Sequence, residues 1–489
     1  MNAVHSLWLS SLPALAEFFL LAAGCTILVI DAFLDKGREA ITCRLSQLAL
    51  VVTLALVVAL FPDARITAFD GSFVSDVMGG LLKIFILLIV IVGLFYLQAY
   101  LDERGQARGE YFVLVLFGSL GMLVMVSAGS FLTLYLGLEL LSLSLYALVA
   151  LNRESPLACE AAMKYFVLGA LASGILLYGI SMIYGSTGRI DFAGVSSAIG
   201  DASSLSLITL LGLVFVVVGI AFKFGAVPFH MWVPDVYEGA PAPITMLIAT
   251  APKIAAFGML IRALGEGLEF LFIDWMQMLT FLAIASLAIG NVVAIAQTNM
   301  KRMLAYSAIA HVGFIFIGLL TGTPGGKAAS MFYVISYALM ALGAFGMVIW
   351  LGRKDGVGEA DRIDDLKGII ERNPWFALMM LFLMLSMAGV PPFVGFWAKL
   401  AVLSEAVDVG MTWLAVTAVI FSVIGLFYYL RVVGLMFFHA PERSAPIVAP
   451  NTVRLVLSIN ALAIVAFGFY PDLLMDICVR AFPGLMAGQ

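Results

Sequence analysis

Apolar runs long enough to cross a bilayer fill nearly the whole of this 489-residue sequence, and 63% of its residues are hydrophobic against 12% charged. That usage is far from that of a soluble globular domain. Backbone in hydrocarbon must satisfy its own hydrogen bonds, so such runs fold as helices of about 20 residues per crossing. The sequence therefore predicts an all-α polytopic membrane protein with about 14 spans, at 9–33, 44–62, 75–101, 109–126, 128–151, 159–184, 205–236, 241–264, 272–297, 303–320, 326–352, 373–407, 411–438 and 452–470. Spans 7 and 12, 205–236 and 373–407, exceed a straight crossing and are expected to be broken. The tail Pro471–Gln489 is expected to be a short interfacial helix with Asp472, Asp476 and Arg480 on its wet side.

Several classes are excluded. The run Phe18–Ile30 has no Lys or Arg before it, so no cleavable signal is expected. Cys25, Cys43, Cys159 and Cys478 are scattered without CxxC spacing and suggest neither disulfides nor a metal or iron–sulfur site. There is no P-loop and no GxGxxG after a strand, which argues against ATP or a dinucleotide bound by that route. No paired histidines stand at haem-ligand spacing. The net charge of −5 says little about partners, because loop placement matters more.

Orientation follows from the basic residues. One set of alternate loops holds Lys36, Arg38, Arg44, Arg104, Arg108, Arg153, Lys301, Arg302, Arg353, Lys354, Arg362, Lys367, Arg372, Arg443 and Arg454. The other loops and the C-terminus hold Arg65, Arg189, Lys327 and Arg480. The positive-inside rule puts the first set in the cytoplasm, so the N-terminus faces outward.

The chain also repeats itself. AAMKYFVL at Ala161–Leu168 and AASMFYVI at Ala328–Ile335 open the sixth and eleventh spans. The two long spans carry prolines (Pro228; Pro391 and Pro392) with a lysine nearby (Lys223; Lys399). An offset of five spans, an odd number, inverts the second copy, as in transporters that build a path at the midplane. The expected organisation is a three-helix segment at 1–108, inverted five-helix repeats at 109–264 and 272–438, each with a broken helix, and a C-terminal helix and tail at 439–489.

Glu139, Lys223, Lys253 and Lys399 lie well inside their spans, where a charge costs several kcal/mol unless paired, hydrated or neutral. Gly225 and Pro228 break the helix just after Lys223, and broken backbone at that depth lines protein or a wet cavity. Burial can bring lysine into the range where it both takes and gives a proton, which arginine cannot do. Glu139 opposite Lys223 would then act as a switch, and Lys253 and Lys399 would continue the relay through ordered water. The bland alternative is structural ion pairs or snorkelling lysines. Lys164, near the end of span 6, reads equally as the mouth of the path or as a snorkelling residue. His311, mid-span, reads as a neutral hydrogen-bonded side chain or as a bridge between Lys253 and Lys399. His230 lines a mouth or caps backbone; Tyr306 and Ser307 hold water or bond between helices. Lys83 and Arg431 read as packing or interface residues. Asp235 and Glu238 gather protons or are simply solvated, and the loop Arg353–Arg372 is a solvated connection or a docking surface.

At these residues a resemblance enters. AFKFGAVPFHMWVPDVYEGAP and Lys253 in ATAPKIAAFGML, with NMKRMLAYSAIAHVGF and SMAGVPPFVGFWAKL, resemble the antiporter-like membrane subunits of respiratory complex I. The resemblance runs from about span 4 to span 13. Lysine at 399, where the M-type branch has glutamate, and an end soon after span 14, without the long lateral helix of the L-type, are similar to the N-type branch. The resemblance implies a proton channel of two inverted half-channels joined by a hydrophilic axis. Glu139 and Lys223 would be its ion pair, Lys253 the central relay, and Lys399 the residue near the periplasmic exit. It implies an M-type subunit, small membrane subunits and lipids as partners, and no nucleic acid. NADH, FMN, iron–sulfur clusters and quinone would belong to the rest of the complex, with no redox centre in this chain. The expected function is proton translocation driven by electron transfer in NADH–quinone oxidoreductase. A subunit of a secondary cation/proton antiporter and a structural scaffold are its competitors.

Overall fold

The chain's own capping residues divide it into helices. In the computed structural model, which describes residues 11–35, 37–202, 204–351, 361–441 and 449–482, Ser130, Ser155 and Asn299 accept from the backbone N–H three residues on and so open their helices. Asp76 does the same for Gly79. Gly105 and Gly188, at φ 62° and 65°, close two of the longest. Lys36, Arg353, Lys354 and Arg443, and the last seven residues of the expected interfacial tail, lie outside the described residues.

In chain order the helices are α1 Leu15–Phe33, α2 Glu39–Ala59, α3 Val77–Arg104, α4 Gly109–Val126, α5 Phe131–Ala150, α6 Pro156–Thr187, α7 Phe192–Gly200, α8 Leu207–Phe224, α9 Trp232–Gly239 and α10 Ala242–Ala249. They continue as α11 Ala251–Leu260, α12 Phe272–Ile295, α13 Met300–Leu320, α14 Pro324–Leu351, α15 Ile369–Arg372, α16 Pro374–Ala388, α17 Val394–Asp408, α18 Thr412–Phe438, α19 Asn451–Phe469 and α20 Asp472–Arg480. Among the described residues 13 helical stretches are long and apolar enough to span a membrane. Span 12 appears as two 15-residue helices, α16 and α17. A two-stranded hairpin, Ile66–Ala68 with Phe73–Ser75, sits in the loop between α2 and α3. Span 8, expected to be continuous, changes direction at Thr250 (φ −116°, ψ −93°) and ends in a π-helical turn, Ile261–Gly267. Pro252 gives the reason for the first departure: it has no N–H and its ring crowds the carbonyl four residues back.

Two compact units share the chain. The first comprises Met1–Leu94, Leu101–Lys223 and Ala251–Met278. In it α4 packs on α1, α2, α5 and α11. Gly121 and Gly137 let α4 and α5 touch through backbone, since a Cβ at Gly121 would meet Leu141 N at 2.6 Å and one at Gly137 would meet Gly121 O at 2.8 Å. The second unit comprises Phe95–Tyr100, Phe224–Thr250 and Leu279–Gln489. Its centre is α14, surrounded by α10, α13, α16, α17, α19 and α20. α13 and α14 are buried all round, as expected of helices that are apolar on every face. In α20 Leu474 and Cys478 are buried, while Asp472, Asp476 and Arg480 are exposed.

The first unit also holds a charge network that the sequence left unpaired. Arg262, 0% exposed, donates to both oxygens of Asp76 at 2.7 Å, to Glu266 at 2.6 Å and to the Val126 carbonyl at 3.1 Å. Burial pushes the Asp76 carboxyl up, but the charge and hydrogen bonds of Arg262 and the Gly79 N–H outweigh it and hold Asp76 below the ordinary carboxylate range. A carboxyl lowered by folding contributes stability that is complete above its unfolded pKa of about 4 and is lost as pH falls through the lower folded value. Asp76→Asn is expected to cost about 3 kcal/mol by leaving a buried guanidinium half-compensated. It should also flatten the acid limb of stability. Thermal unfolding of the two proteins against pH checks both.

Candidate functional site

Glu139 and Ser142, three residues apart on α5, share one face of that helix. The last turn of α8 carries Lys223, and its ammonium donates to Ser142 Oγ at 2.7 Å. The Ser142 hydroxyl donates in turn to the Leu138 carbonyl. From α6, the Ser173 hydroxyl donates to Glu139 Oε1 and lies 3.0 Å from the Tyr135 hydroxyl. Glu139, Ser142, Ser173 and Lys223 line one cavity of about 10 Å³, with Tyr146 and Gly169 in its wall. That is near the ~10–15 Å³ that admits a single water. The acid and the amine thus face the same small cavity, each held by a serine hydroxyl, with Leu138, Leu176 and Phe222 in the rest of its wall.

Lys253 lies one turn into α11, just after the break at Thr250, and is 2% exposed. It belongs to the first unit with Glu139 and Lys223.

The second unit brings His311 and Lys399 together through two rings. His311 Nδ1 is 2.7 Å from the Tyr333 hydroxyl and Nε2 is 3.2 Å from that of Tyr429, which is also bonded to Ser307. Tyr333 stacks on Phe314 with centroids 5.6 Å apart, and the Lys399 ammonium sits 5.2 Å above the Phe314 ring. Lys399 Nζ donates to the Ala388 carbonyl at 2.8 Å and to Ser422 Oγ at 2.9 Å. Ala388 ends α16, and the last carbonyls of a helix have no partner within it. The interruption thereby supplies the lysine's acceptor at the negative end of a helix dipole. Gly389, at φ +84°, makes room for this, since a Cβ there would lie 2.8 Å from Lys399 Cδ.

Other sequence expectations resolve differently. Lys164 is 42% exposed on α6 and pairs with Glu160 at 2.8 Å, outside both clusters. Asp235 and Glu238 are not simply solvated, because both accept from Arg302 Nη1, at 2.8 and 2.9 Å. Lys301, expected in a loop, is buried in the first turn of α13, donates to the Ala240 carbonyl at 3.1 Å and pairs with Asp361 at 3.2 Å. His230 is half-buried, and its carbonyl accepts from Val233 N at the start of α9. Arg431 donates to the carbonyls of Ile295 and Gln297, a packing role. Sequence reasoning missed Ser142, Ser173, Tyr333, Tyr429 and Ser422. Only Ser142 carried a readable signal, its spacing from Glu139. Among the described residues no group of His, Cys, Asp and Glu is placed to hold a metal ion.

Residues 128–425 match the family described as NADH:quinone oxidoreductase/Mrp antiporter, TM. The chain belongs to this family. It is 53% identical over 469 residues to NADH-quinone oxidoreductase subunit N of Thiobacillus denitrificans, covering 96% of this chain and 97% of the relative. The protein of the same name from Thioalkalivibrio sulfidiphilus is 54% identical over 472 residues, covering 96% and 98%. A chain of respiratory complex I from Thermus thermophilus, solved with bound aureothin, matches with a TM-score of 0.80 and 30% identity over 94% of this chain and 98% of that one. A chain of the Mrp complex from Dietzia sp. matches with a TM-score of 0.84 at 22% identity over 97% of each, a likeness of fold. The matched stretch of the family, 128–425, contains Glu139, Lys164, Lys223, Lys253, His311 and Lys399.

Gly389→Ala tests the close contact at Lys399. Left-handed backbone costs a side chain ~1–2 kcal/mol, and the new Cβ would drive the ammonium from the Ala388 carbonyl. The complex is expected to assemble but to pump protons about tenfold more slowly in liposomes, ~1.4 kcal/mol on the barrier. Unchanged pumping would show that this carbonyl does not matter.

Proposed function

We propose that this chain moves protons across the membrane through a relay of buried acid and amine groups. It is an antiporter-like, proton-translocating membrane subunit of NADH–quinone oxidoreductase, as its near-full-length relatives of that name indicate. It is a multi-pass membrane protein. The observation that carries the relay is the shared cavity of Glu139 and Lys223, in which each charge rests on a serine rather than in apolar packing. Protonation or displacement of Glu139 would withdraw its attraction and let Lys223 give up a proton. Lys253 is the next amine in the first unit, and His311 and Lys399 form the set in the second. Lys164, paired at an exposed face, fits access to the path less well than the others. We assign the two inverted repeats to 109–264 and 272–438, the periplasmic side to the N-terminus and the location to the bacterial inner membrane. NADH, FMN, iron–sulfur clusters and quinone act in other subunits, and this chain's neighbours are the M-type and small membrane subunits.

Lys223→Ala and Lys399→Arg test the relay in the intact complex reconstituted into liposomes. Each is expected to lower NADH-driven pumping at least about tenfold, ~1.4 kcal/mol. In the second case arginine keeps the charge but does not release its proton. Full pumping by both variants would leave the scaffold reading standing. The purified complex should carry flavin and iron–sulfur absorbance; a complex without them is a cation/proton antiporter instead.

A further inference from the structure

Lys253 rides on a segment with a break at one end and a buried guanidinium at the other. The segment leaves the irregular backbone at Thr250 as α11 and ends in the π-helical turn Ile261–Gly267. Every residue of α11 is buried. Apolar burial is non-directional, so it holds such a helix down without fixing its height or rotation. A slip of one residue moves a side chain about 1.5 Å along the axis and about 100° round it. Across the break no continuous helix runs on to hold Lys253 in register.

The other end supplies the register. Arg262 Nε donates to the Val126 carbonyl at 3.1 Å, Nη1 and Nη2 take the two oxygens of Asp76 at 2.7 Å, and Nη1 also takes Glu266 at 2.6 Å. Val126 ends α4 and Asp76 caps α3, so the planar fork is tied to two other helices at once. Gly79 leaves room for it, since a Cβ there would lie 3.3 Å from Nη2 and 3.4 Å from the Val126 oxygen. One turn before Arg262, Gly258 closes on the same residue of α4, where a Cβ would meet Val126 Cγ1 at 2.6 Å. Just beyond, a Cβ at Gly267 would meet the Phe192 ring at 2.8 Å. Gly258 and Arg262, four residues apart, share a face, and Lys253 lies about 140° and about 180° round from them. Pinning that face against α3 and α4 therefore presents Lys253 on the opposite one.

Stability alone does not call for an arginine here. Apolar residues of similar volume often match a buried ion pair, whose best-attested use is to fix register. Elsewhere on α3 a simpler tie suffices, where Lys83 meets Glu17 of α1 at 2.5 Å. An ammonium is a point charge that lets its helix turn, whereas a guanidinium fork bonded on several edges does not. We propose that Arg262 is a positioning residue for Lys253: its bonds to Asp76 and Val126 set the height and rotation of the segment that carries the amine. This placement serves the relay proposed above and rests on it only for what Lys253 then does.

Structures of the intact complex in lipid, carrying Arg262→Lys or Gly258→Ala, test the placement. Lysine keeps the charge without the fork, and alanine pushes the segment off Val126 without touching a charge. In each, Lys253 is expected to move by on the order of 1 Å or more along the helix axis, or to turn about it. Val126→Ala added to Gly258→Ala keeps the carbonyl, makes room for the new methyl and should return Lys253 to its place. With Lys253 displaced, pumping per assembled complex should fall about tenfold. Its solvent deuterium isotope effect should rise, because a misplaced amine makes proton transfer limit the rate. A merely structural arginine would lower the yield of complex and leave that ratio alone. If Arg262→Lys fails to assemble, Gly258→Ala with and without Val126→Ala decides. Lys253 found in its native place in the assembled variants overturns the proposal. Lys253 displaced with pumping unchanged upholds the placement and removes Lys253 from the relay, so the two failures are separable.

Discussion

An ammonium ion in hydrocarbon must find oxygen, and the arrangement of this chain depends on how each buried amine meets that demand. Water is scarce at that depth, so the acceptor has to come from another side chain or from a carbonyl that its own helix has not used. Lys223 and Lys399 both take a serine, and Lys399 also takes a carbonyl. Lys83 takes a carboxylate. None of these solutions is available to a lone helix facing lipid, so each buried charge ties at least two helices together.

Helix ends supply the second kind of acceptor. Three cations of the second unit donate to carbonyls where a helix stops: Lys399 to Ala388, Lys301 to Ala240, and Arg431 to Ile295. The last turn of a helix leaves its carbonyls unpaired and carries the negative end of the dipole. A break inside the membrane would be costly backbone if left alone. Met by a lysine, it becomes a site where a positive charge is held by a neutral partner. Lys399 is held by uncharged partners alone, whereas Lys301 also meets Asp361, and in Lys83–Glu17 and Arg262–Asp76 the partners are carboxylates. The contrast separates two kinds of buried cation in one chain.

The spans were legible because each is written in a continuous local run, and their boundaries in the structure fall within a few residues of those read from apolar length. The deep lysines were legible for the same reason, since a single charge in such a run stands out. Glu17 escaped notice because it lies near the start of the first span, where a carboxylate reads as an end-of-helix residue. Nothing local names a partner for Arg262, for Asp76 is 186 residues away. Pro252 was a readable break signal, but the apolar residues on both sides of it masked the change of direction at Thr250.

By itself, then, the sequence determined that the chain crosses a membrane repeatedly as helices, and which residues are charged where lipid forbids it. Both follow from local rules: backbone groups must bond within their own segment, and transfer of a charge into hydrocarbon is costly at any position. Only the tertiary structure decided which oxygen each amine meets, that Glu139 and Lys223 share a cavity with two serines, and that Lys301 is buried rather than in a loop. Those outcomes depend on how each helix is rotated about its axis and on which neighbour it faces. A uniformly apolar helix surface leaves both choices open until the whole bundle packs.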